Sequence, residues 1–149
     1  MALYEAKESG RNRCCVYRRI DPPKDLPTIL IIDDEDVVLV TVSKMLERLG
    51  YASMVACDGQ TAIAHCRKKQ NRIDMVLLDV LMPGVRSVKI ICNIKALRPE
   101  TKIFLSSALD KSQIEDEILK NADGYLGKPY SMSELRNSTM ICFNDRALN

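Results

Sequence analysis

Five short apolar runs, each followed by a stretch of helical period, constrain this chain more than any other feature. They are TILIID (28–33), YASMVAC (51–57), IDMVLLDV (73–80), KIFLSSA (102–108) and GYLGKP (124–129). A strand that is apolar on both faces has to be covered on both, as happens in parallel sheets layered between helices. Between the runs, Val38, Val42, Met45, Leu46 and Leu49 recur at helical spacing, and Gly50 supplies a stop. Asp58 stands where it can cap a helix carrying Ala62, Ile63 and Cys66. Ser87–Leu97 sets Val88, Ile91 and Ile94 on one face and ends at Arg98-Pro99. Ser112 with Glu115, ahead of Ile114, Ile118 and Leu119, has the spacing of a capping box. Ser131 with Glu134 repeats that spacing and opens a last helix to about Phe143. Five strands alternating with five helices predict an α/β fold: a doubly wound, five-stranded parallel sheet in the flavodoxin-like order 2-1-3-4-5, with helices on both faces.

The 149 residues have room for one domain with a proper core and an appendage. A net charge of +2 makes no demand for nucleic acid or an acidic membrane as partner. No stretch has the charged-then-apolar form of a leader, and the apolar run Ile29–Ile32 is far too short to cross a bilayer. A cytoplasmic location is expected. The six cysteines include the adjacent Cys14 and Cys15 but no Cys-x-x-Cys pair, and Cys57, Cys66, Cys92 and Cys142 sit among apolar neighbours. They read as buried thiols acting as small hydrophobes in a reducing compartment. The one histidine, His65, runs into Arg67, Lys68 and Lys69 and reads as part of a solvated helix face.

In open parallel sheets, reactive groups gather beyond the carboxyl ends of the strands. The first run ends in Asp33-Asp34, the third in Asp79, the fourth in Ser106-Ser107, and the fifth leads into Lys128-Pro129. With the first and third strands as neighbours, three carboxylates meet in one crevice. Like charges so close raise at least one pKa unless a cation joins them. A hard divalent ion such as Mg2+ suits oxygen ligands and leaves room for phosphate oxygens. Lys128 adds a positive charge, Ser107 a hydroxyl, and an aspartate is a plausible nucleophile, so the pattern points to a phosphoryl group. A plainer role exists for each residue alone. Asp33 and Asp34 suit a helix start, Asp79 a turn, Ser107 a strand end and Lys128 a surface, but those roles do not explain the set.

ILIIDDED, MVLLDVLMPG, IFLSSA and GYLGKPY together resemble the receiver domain of two-component response regulators over about residues 28–145. The resemblance implies that Asp79 accepts a phosphoryl group from a sensor histidine kinase or phosphotransfer protein. It implies Mg2+ held by Asp33, Asp34, Asp79 and the backbone carbonyl of Leu81. Ser107 then corresponds to the switch hydroxyl, Lys128 to the phosphate contact, and Tyr125 to the aromatic whose rotation follows the switch. A cis bond before Pro129 is frequent in such domains. Phosphorylation would draw Ser107 inward, vacate space for Tyr125 and reshape the surface built by the fourth and fifth strands and helices. The loop after Asp79 departs from the family pattern, with Arg86 and Ser87 where Asp and Gly are typical. Gly127, beside Lys128, is expected to loosen that lysine. Leu81 and Leu109 stand two residues after Asp79 and Ser107, and both are apolar. With nothing there to orient water, slow loss of the phosphoryl group is expected.

The opening stretch, ALYEAKESGRNRCCVYR, has helix formers over Ala2–Glu8, a stop at Gly10 and a short strand at Cys14–Tyr17. It is similar to the closing segment of GGDEF domains, the diguanylate cyclases. The similarity implies residues 1–17 as a remnant of such a domain, a proline-bearing linker at 18–27 (RIDPPKDLPT runs from Arg19), and a receiver at 28–149. The cyclase's catalytic residues are absent, and the receiver is not expected to be an enzyme in its own right. The expected function is a bacterial phosphoacceptor receiver that regulates an attached GGDEF output and cyclic di-GMP signalling. Residues 1–17 offer a route to a homodimer through CCVY. The alternative is a receiver-fold interaction or dimerisation module that works without phosphorylation. A phosphatase of the haloacid dehalogenase type would want a second aspartate where Leu81 stands, and a cap domain for substrate.

Overall fold

The computed structural model describes residues 3–5, 16–18, 26–84 and 86–147. Strand β1 (Leu3–Glu5) pairs antiparallel with β2 (Val16–Arg18), with Leu3 opposite Arg18, Tyr4 opposite Tyr17 and Glu5 opposite Val16. This corrects the helix expected over Ala2–Glu8. Ladder hydrogen bonds and the strand preference of Tyr and Val outweigh the local helix propensity. The strand expected at Cys14–Tyr17 is found at Val16–Arg18. The stop at Gly10 and most of the linker lie outside the described residues.

The main sheet contains β3 (Thr28–Ile32), β4 (Ala52–Ala56), β5 (Met75–Asp79), β6 (Lys102–Ser107) and β7 (Gly124–Gly127). All neighbours are parallel, in the order β4-β3-β5-β6-β7, which is 2-1-3-4-5 within the sheet, as expected. Every residue of β3 and β5 is buried, which explains why these runs are apolar without alternation. Leu30, Ile32, Val76, Leu78, Ile103 and Leu105 pack under α2 (Gly59–Arg67), α3 (Ser87–Leu97) and α4 (Asp116–Asn121). Ile29, Ile31, Met75, Leu77, Phe104 and Leu126 face α1 (Asp36–Arg48) and α5 (Met132–Ala147). Among the described residues no helix is long and apolar enough to cross a membrane.

Local signals acted largely where the chemistry requires. Asp58 caps α2 by accepting from the Thr61 amide at 2.7 Å. Gly50 stops the chain after α1 at φ +87°, a left-handed conformation that needs no Cβ. Ser131 and Glu134 form the expected reciprocal cap, and α5 continues past Phe143 to Ala147. The other capping box is shifted. Asp110 and Gln113 form it, around a 3-10 turn at Lys111–Gln113, while the Glu115 carboxylate accepts instead from Arg86 at 3.3 Å. Two further expectations are corrected. His65 turns inward rather than facing solvent, its Nε2 lying 3.0 Å from the Val55 carbonyl oxygen. Cys66 and Cys142 are buried and Cys57 partly so, but Cys92 is exposed because it lies off the Ile90–Ile91–Ile94 stripe of α3.

Candidate functional site

The acid site grows from the register of the two central strands. Ile32 pairs with Leu78, so the next residues, Asp33 and Asp79, emerge side by side at the carboxyl edge of the sheet. Both are buried, at 2% and 5% exposure, while Asp34 is exposed. The backbone that follows each strand anchors its carboxylate. Asp33 Oδ1 accepts from the Glu35 amide at 2.9 Å, and Asp79 Oδ1 accepts from the Leu81 amide at 3.0 Å. One carboxylate oxygen from each of Asp33, Asp34 and Asp79 lies within 4.8 Å of the others. Neither Asp33 nor Asp34 is the N-cap of α1, a position taken by Glu35 without a side-chain hydrogen bond.

Lys128 supplies the countercharge from the end of β7. Its Nζ donates to Asp33 Oδ2 at 2.6 Å and lies 3.6 Å from Asp79 Oδ2. Its amide donates to the Ser107 carbonyl at 2.7 Å, and the peptide bond to Pro129 is cis. Burial pushes the Asp79 carboxyl up, and Asp33 and Asp34 add to the rise, against the Leu81 amide and Lys128. Burial alone would lower Lys128, but the Asp33 hydrogen bond and the charges of Asp33 and Asp79 hold the ammonium above its ordinary value. The site therefore keeps a firmly charged cation beside a carboxylate whose negative charge is costly, a natural place for an incoming electrophile or cation.

Ser107 ends β6 fully buried, and its Oγ accepts from the Leu109 amide at 3.0 Å. The Tyr125 hydroxyl donates to the Leu109 carbonyl, tying β7 to the same loop. At Gly127, a Cβ would lie 3.2 Å from the Tyr125 hydroxyl oxygen, so glycine gives the phenol room to cross. Leu81 is 53% exposed beside the acids, and Ser87 Oγ donates to the Val80 carbonyl at 3.1 Å. Arg86 points to Glu115 across an exposed gap. All the sequence-derived site residues thus meet at one edge of the sheet, with Tyr125 one loop away.

The model of the response regulator receiver domain matches residues 29–139. The chain belongs to this family. The receiver is 36% identical over 111 residues to the autoinducer 1 sensor kinase/phosphatase LuxN of Vibrio campbellii, covering 74% of this chain and 13% of that protein. It is 27% identical over 110 residues to a cyclic di-GMP phosphodiesterase of Thermotoga maritima, covering 73% and 29%. The chain therefore spans less than a third of either relative. Among solved structures, a CheY-like receiver domain protein from Methanospirillum hungatei superimposes with a TM-score of 0.75 at 22% identity, covering 83% of this chain and 98% of that one. The response regulator TrrA of Thermotoga maritima, solved in complex with Mg(2+)-BeF, gives 0.69 at 25% identity, covering 78% and 99%.

Receiver domains bind Mg2+ at an acidic pocket, and the donors here fit such an ion: three carboxylates with oxygen atoms converging on one point, close to the Leu81 backbone. Of the polar residues near the site, Tyr130 was not singled out in the sequence, and Ser106 stood there only as the strand-end neighbour of Ser107. Ser106 lies opposite Asp79 in the β5–β6 register, and Tyr130, two residues after Lys128, packs on the cluster that includes Ile31 and Leu77. Their neighbours Ser107 and Lys128 were the available signal, but a buried hydroxyl cannot be told from an exposed one by residue type.

Proposed function

We propose that this receiver is a phosphoacceptor whose Asp79 takes a phosphoryl group from a phosphohistidine on a sensor kinase or phosphotransfer protein. The observation that carries the reading is the convergence of Asp33, Asp34 and Asp79 under Lys128, with the Ser107 hydroxyl at the adjoining strand end. In the transfer an Asp79 carboxylate oxygen forms a bond to phosphorus, the donor's P–N bond breaks, and the imidazole nitrogen keeps the electron pair and takes a proton. Asp33, Asp34, Asp79 and the Leu81 carbonyl would hold Mg2+, which neutralises charge on the phosphoryl oxygens when bound. Lys128, already 3.6 Å from Asp79, reaches a phosphoryl oxygen with little movement, and Ser107 turns its hydroxyl from the Leu109 amide to another. Release of that amide loosens the loop that Tyr125 grips, which is how the switch leaves the site.

The output is proposed to be cyclic di-GMP signalling through a GGDEF domain of the parent protein in the cytoplasm. The opening stretch supports this, and the phosphodiesterase relative shows a matching segment within a cyclic di-GMP enzyme. The test is intact-mass spectrometry after incubation with Mg2+ and acetyl phosphate, comparing wild type with Asp79→Ala. One phosphoryl adduct on wild type alone is expected. No adduct on either protein, with no Mg2+ binding by calorimetry, would leave a phosphorylation-independent interaction module as the function.

A further inference from the structure

β4 ends the strand order of the main sheet, with β3 its one neighbour among the described residues. The Ala52 amide donates to the Pro27 carbonyl at 3.0 Å, and the Ala56 carbonyl accepts from the Asp33 amide at 3.1 Å. Along a strand in a parallel ladder, the amide and carbonyl of one residue point to the same side, and that side alternates from residue to residue. Ala52, Met54 and Ala56 therefore bond to β3, while the amides and carbonyls of Ser53 and Val55 point away from it. His65 of α2 reaches this outer side, its Nε2 lying 3.0 Å from the Val55 carbonyl oxygen. A carbonyl only accepts, so Nε2 carries the proton. The amide of a further strand would stand about 2.9 Å from the same oxygen. The imidazole thus fills the place of a neighbouring strand's N–H.

Edge strands commonly carry a charge, a proline or a bulge that discourages further pairing. Residues 51–57, YASMVAC, hold no charge, no proline and no glycine, a composition that pairs readily with another strand. The opposite edge differs: β7 is four residues long, begins and ends in glycine, and runs into Lys128-Pro129. On β4 the protection comes from another element. Asn71 Nδ2 donates to the His65 carbonyl at 3.0 Å and fastens the end of α2 beside the strand. The pattern of donors and acceptors also says what would fit the edge. Two copies of β4 set antiparallel about a two-fold axis at Ser53 would exchange two N–H···O bonds between their Ser53 residues and bring Val55 opposite Tyr51. The Tyr51 amide already donates to the Leu46 carbonyl at 3.0 Å, and the Val55 carbonyl is taken by His65, so the two groups that would meet there are both engaged within one copy. The Val55 amide and the Tyr51 carbonyl remain as a matched donor and acceptor.

We propose that the outer edge of β4 is a strand-pairing surface for the β4 of a second copy of this chain, and that the His65 ring holds it shut. The proposal is independent of Asp79 as phosphoacceptor. His65 is the one histidine of the chain, so its ring resonances are unambiguous. In 15N-correlated NMR of the full chain at pH 8, the Nε2–H tautomer with a slowly exchanging proton is expected, and the Nδ1–H tautomer overturns the proposal. Self-association is then compared by sedimentation equilibrium in reductant, which keeps Cys14, Cys15 and the exposed Cys92 from cross-linking. His65→Ala, a helix-favouring change on α2, is expected to tighten association about tenfold and to slow amide exchange at Ser53 and Val55 as concentration rises. Ser53→Pro removes an outward N–H without touching the ladder to β3, and in the His65→Ala background it should restore wild-type association. Asn71→Ala loosens the end of α2 and should shift association the same way by a smaller factor, and it carries the test if His65→Ala fails to fold by circular dichroism. Association equal to wild type in every folded variant of His65 and Asn71 overturns the proposal. So does a tightened association that Ser53→Pro leaves in place.

Discussion

Replacing Asp79 by Asn should make the metal-free protein more stable, although it removes the proposed phosphoacceptor. The balance of charges sets the sign. At an effective dielectric constant of about 20, Asp33 at the 4.8 Å limit repels Asp79 by about 3.5 kcal/mol, and Lys128 at 3.6 Å attracts it by about 4.6 kcal/mol. Asp34 is exposed, so solvent reduces its repulsion to about 1 kcal/mol. The pairwise forces cancel, and what remains is the cost of holding a carboxylate at 5% exposure. Asn keeps a carbonyl oxygen for the Leu81 amide and leaves Lys128 its bond to Asp33. The expected gain is about 1–2 kcal/mol, raising Tm by about 3–8 °C for a domain of this size. The pH dependence fixes the cause. The Asp79 carboxyl is raised in the folded state, so its penalty is fully present above that raised value and fades as pH falls toward the ordinary value near 3.9. Thermal melts followed by circular dichroism in chelator, from neutral pH to about pH 4, should show the gap between the two proteins closing. Added Mg2+ should raise the wild-type Tm and narrow the gap. An Asn variant that melts at or below wild type at neutral pH refutes the reasoning.

Leu81→Asn places a polar side chain at the exposed mouth of the site, and the half-life of phosphorylated protein should shorten several-fold by mass spectrometry. Gly124→Ala drives a Cβ to 2.5 Å from Phe104 Cε2, inside a packed cluster, and should cost about 1–3 kcal/mol in urea unfolding. Asp123→Ala strips the Ile103 amide and Lys95 of a common acceptor, at 2.8 and 2.7 Å, and should cost about 1–3 kcal/mol at neutral pH. Burial would raise the Asp123 carboxyl, but Lys95, the Ile103 amide and Lys102 together hold it below the usual range. Its stabilisation is therefore present above about pH 4 and lost as pH falls through the lowered value, so the gap to the Ala variant should shrink only in acid.

The fold was legible because burial on both faces leaves an unmistakable trace in TILII and MVLLD. The acids, Ser107 and Lys128 were legible because their place at strand ends follows once the strand order does. What escaped depends on contacts between distant segments. Nothing near His65 in sequence announces the Val55 carbonyl, and nothing near Glu115 announces Arg86. Asp123 gives no local sign that it ties β6 to α3 through Ile103 and Lys95. The helix expected over Ala2–Glu8 failed for the same reason: a partner strand centred 13 residues away, with Tyr17 opposite Tyr4, offered a ladder that local propensity ignores. Tyr130 gave no local sign that its ring joins the core, and Ser106 was visible only as the strand-end neighbour of Ser107, its pairing with Asp79 being set by the register.

The shortness of α4 has a thermodynamic consequence for anything that reads this domain. The helix spans six residues, only Ile118 of them is buried, and Glu115 at its start offers no side-chain cap. A helix of that length has almost no stability of its own. The exposed Arg86–Glu115 pair adds at most about 1 kcal/mol. This segment is therefore the first part of the described domain to exchange its amide hydrogens, well before β3 or β5. Inverting a conformer ratio from 1:99 to 99:1 takes about 5.5 kcal/mol of differential free energy. With Ile118 the one buried side chain of α4 and Leu119 only partly so, a partner that orders this helix works against little opposing structure.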